Sequence, residues 1–148
     1  MATQTLDAIV REIEINAPAA KVFAALTEPE QLVQWWGHPG SYLCTKMEAD
    51  LRVGGRWRTT GESKDGSPFS VTGEYRVIEP PHALEFTWRH DWGAHEDQID
   101  TLVRYDLEER DGVTRVRVTH SGFADVASRD DHERGWGTVL GWLRGYLQ

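Results

Sequence analysis

The chain has 148 residues, with 16 Lys and Arg against 24 Asp and Glu, a net charge of −8, seven tryptophans and one cysteine. That length suits one domain over residues 1–148 with a substantial core, and the negative balance argues against wholesale binding to nucleic acid or anionic lipid. No apolar run is long enough to span a bilayer, MATQTLD lacks the charged and apolar regions of a signal peptide, and a lone Cys44 excludes an intrachain disulfide, so a cytoplasmic protein is expected.

Ile9 to Ile15 (IVREIEI) alternates, with Ile9, Ile13 and Ile15 on one side and Glu12 and Glu14 on the other, the pattern of a half-buried strand. Arg11 shares the isoleucine face and is expected to snorkel at a strand end. Asn16-Ala17-Pro18 then starts a short helix with Val22, Phe23 and Leu26 as its apolar stripe. Thr27 and Glu30 read as a capping box for a second short helix carrying Leu32, Val33, Trp35 and Trp36, ended by Gly37-His38-Pro39-Gly40.

From Tyr42 the pattern changes to strands. Met47, Ala49, Leu51 and Val53 alternate up to a turn or bulge at Gly54-Gly55, and Arg56 to Gly61 places Trp57 and Thr59 on one face. Beyond a hairpin loop at 64–68, Phe69, Val71, Gly73, Tyr75 and Val77 share an inner face, and Leu84, Phe86 and Trp88 repeat the pattern. His90 to Asp97 reads as a polar loop, followed by a strand with Ile99, Val103, Tyr105 and Leu107 inward. Asp111-Gly112 signals a hairpin, after which Val116, Val118 and His120 alternate inward.

Ser128 to Gln148 reads as one long helix, capped by Ser128 with Asp131 in the capping-box position. Trp136, Val139, Leu140, Trp142, Leu143, Tyr146 and Leu147 form its apolar arc, and Arg134, Thr138 and Arg144 fall outside it. Gly137, Gly141 and Gly145 make a smooth ridge away from that arc. The ridge is either a tolerant solvent face or a close-packing surface for a neighbour, including a second subunit in a homodimer.

The predicted order is a strand, two short helices, about six antiparallel strands and a long helix, an α+β fold. Seven strands at ~4.8 Å spacing make a sheet roughly 30 Å wide, whereas one helix is ~10–12 Å across. The sheet must therefore curl round the helix, with Gly54, Gly55 and Gly73 helping the bend, and the curl leaves a space between the two layers.

In this order the residues resemble the START/Bet v 1-like (SRPBCC) helix-grip superfamily, and within it the Aha1-like branch named after the activator of the Hsp90 ATPase. The resemblance is carried by Ala17-Pro18 with Val22-Phe23 and 25–27, Trp35-Trp36-Gly37, Asp50 to Gly55, Gly73-Glu74-Tyr75 with Ile78 to Pro81, Leu84 to Trp88, Thr119 to Gly122, and Gly135-Trp136 with Leu140, Leu143 and Leu147. It implies a curved antiparallel sheet of about seven strands round the C-terminal helix, and a family that includes lipid and hormone binders and polyketide cyclases. The co-chaperone that names the branch has an additional N-terminal domain supplying much of its Hsp90 contact. This sequence begins almost directly at the first strand, so Hsp90 activation is not the expected activity.

The expected site is a pocket for a small, mostly hydrophobic ligand, lined by Trp36, Trp57, Tyr75, Phe86, Trp88, Tyr105 and Trp136 with His120 and Leu140. Binding is favoured over catalysis. A cyclase or dehydratase would use His120 or Tyr75 as an acid–base group, and a third reading is a chaperone-interacting, stress-response module. No cofactor is expected. His90, His95, Glu96 and Asp97 have donor chemistry but fall in a loop with no second cluster, so no metal is expected either. Cys44 has no base tied to it by sequence and reads as packing.

Overall fold

A computed structural model describes residues 7–38, 41–90 and 100–148. Its order is β1 (Ile9–Ile15), α1 (Ala19–Thr27), α2 (Pro29–Trp35), β2 (Leu43–Ala49), β3 (Arg56–Glu62), β4 (Pro68–Glu79), β5 (Ala83–His90), β6 (Thr101–Arg110), β7 (Val113–Ser121) and α3 (Val126–Leu147). The seven strands form one curved antiparallel sheet in the order β1-β7-β6-β5-β4-β3-β2, a helix-grip fold with α3 as the gripped element. Every neighbouring pair except β1–β7 is consecutive in sequence, so hairpins build most of the sheet and the first strand joins the last.

The alternation that predicts each strand also sets its inner face. Ile9 and Ile15 on β1, Val116, Val118 and His120 on β7, and Val103, Tyr105 and Leu107 on β6 are buried together. In register, Ile9 stands opposite His120 and Val103 on the other side of it. Asp111 and Gly112 both take positive φ, 54° and 79°, which lets a two-residue turn match the strand twist between β6 and β7. Arg11 is on the inner face as expected but does more than snorkel: its guanidinium lies 3.7 Å from Glu133 on α3.

Two bulges shift the expected phase. On β4 the register slips between Tyr75 and Val77, so that Ile78, not Val77, turns back to pack on the core. On β2 the slip falls between Cys44 and Lys46. The extra residue brings Cys44 and Met47 to the same face, although three-residue spacing would put them on opposite faces of a regular strand. The alternation expected to continue through Leu51 and Val53 ends instead at Ala49. Leu51 is 45% and Val53 66% exposed, in a turn whose Gly54 N–H and Gly55 carbonyl pair with Tyr75.

The sheet bends at Gly73. A Cβ there would collide with the Thr87 carbonyl and lie 2.5 Å from the Trp57 indole nitrogen, because Trp57, the cross-strand partner of Gly73, covers it. Beside it the Glu74 N–H donates to the Thr87 hydroxyl at 2.8 Å, and the next regular β4–β5 pair is Tyr75–Phe86.

Helix starts differ from the sequence reading in an instructive way. α3 begins two residues early, capped by Asp125, whose carboxylate accepts the Ser128 N–H at 2.7 Å; Ser128 is already helical. The Thr27 hydroxyl does not cap α2 but donates to the Phe23 carbonyl at the end of α1, and Glu28 holds the cap position of α2 with its side chain on Gln31, not on a backbone N–H. We expect Asp125→Ala to cost about 1 kcal/mol of stability and Ser128→Ala far less. Equal urea midpoints for the two variants would contradict the assignment.

Trp136, Val139, Leu140, Leu143 and Leu147 of α3 are buried against the sheet, while Trp142 is half-buried and Tyr146 reaches α2, its hydroxyl donating to Gln31 at 3.2 Å. The ridge of Gly137, Gly141 and Gly145 is open, with nothing within 4 Å of a Cβ at any of the three. His90 is not in a loop: it ends β5 with a buried side chain. The rest of the expected loop from residue 91, with His95, Glu96, Asp97 and also Ile99, lies outside the described residues.

Candidate functional site

Curling the sheet round one helix leaves two adjoining hollows. The larger, about 440 Å³, opens between the first half of α3 and the β3–β4 hairpin. Trp36, Phe69, Val71, Trp88, Trp136 and Val139 form its apolar walls; Tyr42, Cys44, Thr59, Ser63, Ser67, Asp131 and His132 supply polar groups. The smaller, about 40 Å³, has room for little more than a water and lies among Leu26, Leu32, Met47, Trp57, Tyr75, Phe86 and Tyr105. Both share Trp36, Cys44, Thr59 and Trp88 as walls.

The aromatic residues expected around one pocket are therefore divided by depth. Trp36, Trp88 and Trp136 line the outer cleft; Trp36 lies 5.9 Å from Trp88 and meets Trp136 edge-on at 5.8 Å between ring centres. Trp57, Tyr75, Phe86 and Tyr105 surround the inner hollow, with Trp57 edge-on to Phe86 at 5.3 Å. Leu140 and His120 line neither and belong to the core behind them. Alternation gave Thr59, Phe69 and Val71 the right face without marking them as site residues, and the four-residue step from Trp136 back to His132 carries the cleft one turn up α3. Cys44 was hidden by the bulge.

His120 illustrates how the interior handles a polar group. It is 0% exposed, and its Nδ1 accepts the Trp136 indole N–H at 3.0 Å. An indole nitrogen can only donate, so the imidazole proton sits on Nε2 and is donated to the Thr101 hydroxyl at 2.7 Å; that hydroxyl donates to the Trp88 carbonyl at 3.0 Å. Burial, then the neighbouring His132 and His90, hold its pKa well below the ordinary imidazole value. A neutral ring with both nitrogens engaged fixes Trp136 and Trp88 in place and has no free position for acid–base work.

His132 donates through Nδ1 to the Ser128 carbonyl (2.8 Å), and its ring centre lies 5.3 Å from His90 and 5.2 Å from His120. Among the described residues no group of His, Cys, Asp or Glu is placed to hold a metal ion. Burial pushes the Tyr42 hydroxyl up to about 12, against the hydrogen bond it accepts from the Trp36 indole at 3.1 Å. Burial alone pushes Tyr75 up to about 12, and it raises the Cys44 thiol, which lies 2.8 Å from the Thr59 hydroxyl. Neither the two tyrosines nor the thiol is poised to ionise near neutral pH.

Residues 16–148 match the model of the family described as Activator of Hsp90 ATPase homolog 1-like protein. The chain belongs to that family. Other AHSA1-like and related folds superimpose closely. Protein CV1439 from Chromobacterium violaceum is 22% identical with a TM-score of 0.84, over 95% of this chain and 96% of that one. Protein Ms6760 from Mycobacterium smegmatis is 22% identical with a TM-score of 0.79, over 95% and 90% of the two chains. The AHSA1-like protein from Aeromonas hydrophila, solved in solution, is 24% identical with a TM-score of 0.74, over 93% and 91%. At these identities the likeness is one of fold. No curated protein matches this sequence. Among the described residues of this AHSA1-like chain, no helix is long and apolar enough to cross a membrane.

Proposed function

We propose that this AHSA1-like protein binds a small, mostly apolar molecule in the cleft between α3 and the β3–β4 hairpin. The observation that carries the reading is the 440 Å³ hollow walled by Trp36, Trp88, Trp136, Phe69, Val71 and Val139, within the roughly 300–1,000 Å³ usual for small-molecule sites. Aromatic walls that are already fixed by hydrogen bonds and ring packing lose little freedom when a ligand enters, which favours binding. A cyclase-type role has less support, because His120 is neutral, buried and engaged at both nitrogens. With Cys44 as a free thiol, a reducing cytoplasmic setting suits the protein.

Gly135 lines the cleft, and a Cβ there meets nothing within 4 Å. Gly135→Phe should therefore project a ring into the hollow without disturbing the fold, since phenylalanine is the better helix former. Titrating the neutral dye N-phenyl-1-naphthylamine by fluorescence should give saturable binding to the native protein, weakened at least about tenfold in the variant. Dye binding that is unsaturable, or equally tight in both proteins, would reject the reading.

A further inference from the structure

The inner hollow contains a feature that packing alone does not explain. Tyr105 on β6 is 1% exposed and lines the hollow, and among the described residues its hydroxyl has no hydrogen-bond partner. The indole nitrogen of Trp88, which walls both hollows, is likewise buried and unpartnered. Leaving either group unsatisfied is costly in an interior, and other buried indoles here are paired: Trp35 donates to the Ala25 carbonyl at 2.8 Å and Trp136 to His120 at 3.0 Å. A third unpartnered donor, the Trp57 nitrogen, lies against Gly73, and its ring walls the same hollow. Donors without acceptors thus border one small space, Tyr105 and Trp88 among them.

The same walls say what the partner's charge must be. An indole N–H can only donate, so the incoming atom must accept. Among the described residues, no Asp, Glu, Lys or Arg lines the inner hollow, and of those residue types only Asp131 lines the outer one. A carboxylate or sulfonate would be stripped of water there with no lysine or arginine among the described lining residues to meet it, whereas a neutral carbonyl oxygen gives up far less hydration.

Resting on the binding reading above, we infer that the ligand is an uncharged, flat apolar molecule carrying a hydrogen-bond acceptor of the carbonyl type, with its body in the outer cleft and its acceptor received by the Tyr105 hydroxyl and the Trp88 indole N–H in the inner hollow. Tyr105 is then the residue that selects ligands by their polar end. The outer tryptophans take any flat apolar body.

Three probes of nearly equal size separate the possibilities: 2-acetylnaphthalene, 2-ethylnaphthalene and 2-naphthoate, each titrated calorimetrically against the native protein and against Tyr105→Phe. The ketone should bind about fivefold tighter than the ethyl compound, the equivalent of one neutral hydrogen bond, and the naphthoate weakest of the three. Tyr105→Phe should remove most of the ketone's advantage, the Trp88 N–H supplying what is left, and leave the ethyl compound's affinity unchanged. Because the hydroxyl is unpaired in the empty protein, the variant should unfold at the same urea concentration as the native chain or a higher one, so loss of fold does not confuse the result. Ketone and ethyl compound binding alike, the naphthoate binding tightest, or Tyr105→Phe weakening all three equally would each overturn the inference while the binding reading stands. If none of the three binds, the binding reading fails and the inference with it.

Discussion

Replacing His120 with leucine is expected to lower the stability of the folded chain by about 3 kcal/mol, although the two side chains are similar in volume. The loss comes from the groups left behind. The Trp136 N–H and the Thr101 hydroxyl each lose a buried partner, and neither has water to replace it. A pH series gives the same residue a second signature. Its folded pKa is depressed, so the unfolded chain binds the proton more readily. The corresponding stability is therefore complete above the unfolded value near 6.5 and is lost as the pH falls below it, by at most about 1.4 kcal/mol per pH unit. Urea unfolding of the native protein between pH 7.5 and 5 should show that decline, and His120→Leu should remove its contribution. A variant as stable as the native chain, with an unchanged pH slope, would show that the hydrogen-bonded chain does not hold the interior.

Gly73→Ala should be as damaging, by about 3 kcal/mol or more, for a change of one methyl group. The methyl has no space: the Thr87 carbonyl is backbone and cannot rotate away, and the Trp57 indole nitrogen would lie 2.5 Å from the new carbon. Either β4 and β5 separate at the bend or Trp57 leaves its place, and Trp57 is a wall of the inner hollow. Near-UV circular dichroism should therefore change along with the urea midpoint. A midpoint shift corresponding to under 1 kcal/mol, with unchanged tryptophan signals, would mean that the bend does not depend on the missing side chain.

The residues that were readable from sequence and those that were not differ in one physical respect. Val116, Val118 and His120, or Trp136, Leu140 and Leu143, follow an unbroken period, so their faces are fixed by counting and the structure buries them as expected. Cys44 and Ile78 lie beyond a bulge, where one inserted residue exchanges the two faces without leaving a mark in the amino-acid pattern. The start of α3 was misplaced for a related reason: Asp125 and Ser128 are both good caps, and only the backbone decides which of them remains extended.

The site was legible as a set of aromatic residues but not as a shape. Period two says that Trp57, Tyr75, Phe86, Trp88 and Tyr105 point inward; it does not say how far each is from the helix. That distance depends on the sheet's curvature, which opens a large hollow beside Trp36, Trp88 and Trp136 and leaves a small one at Trp57, Phe86 and Tyr105. The division between them, and with it the separate roles of body and polar end proposed for the ligand, required coordinates.

The pairing of β1 with β7 governs the order in which the chain can assemble. β1 leaves the ribosome before its neighbour exists, and its apolar side stays wet until β7 has been made. Hairpins from β2 through β6 can zip locally while synthesis proceeds, but the rod that fills the sheet's concave side comes last of all. Folding should therefore finish in one late, long-range step, and a ribosome stalled before α3 should hold a protease-sensitive half-barrel with its hydrophobic lining exposed.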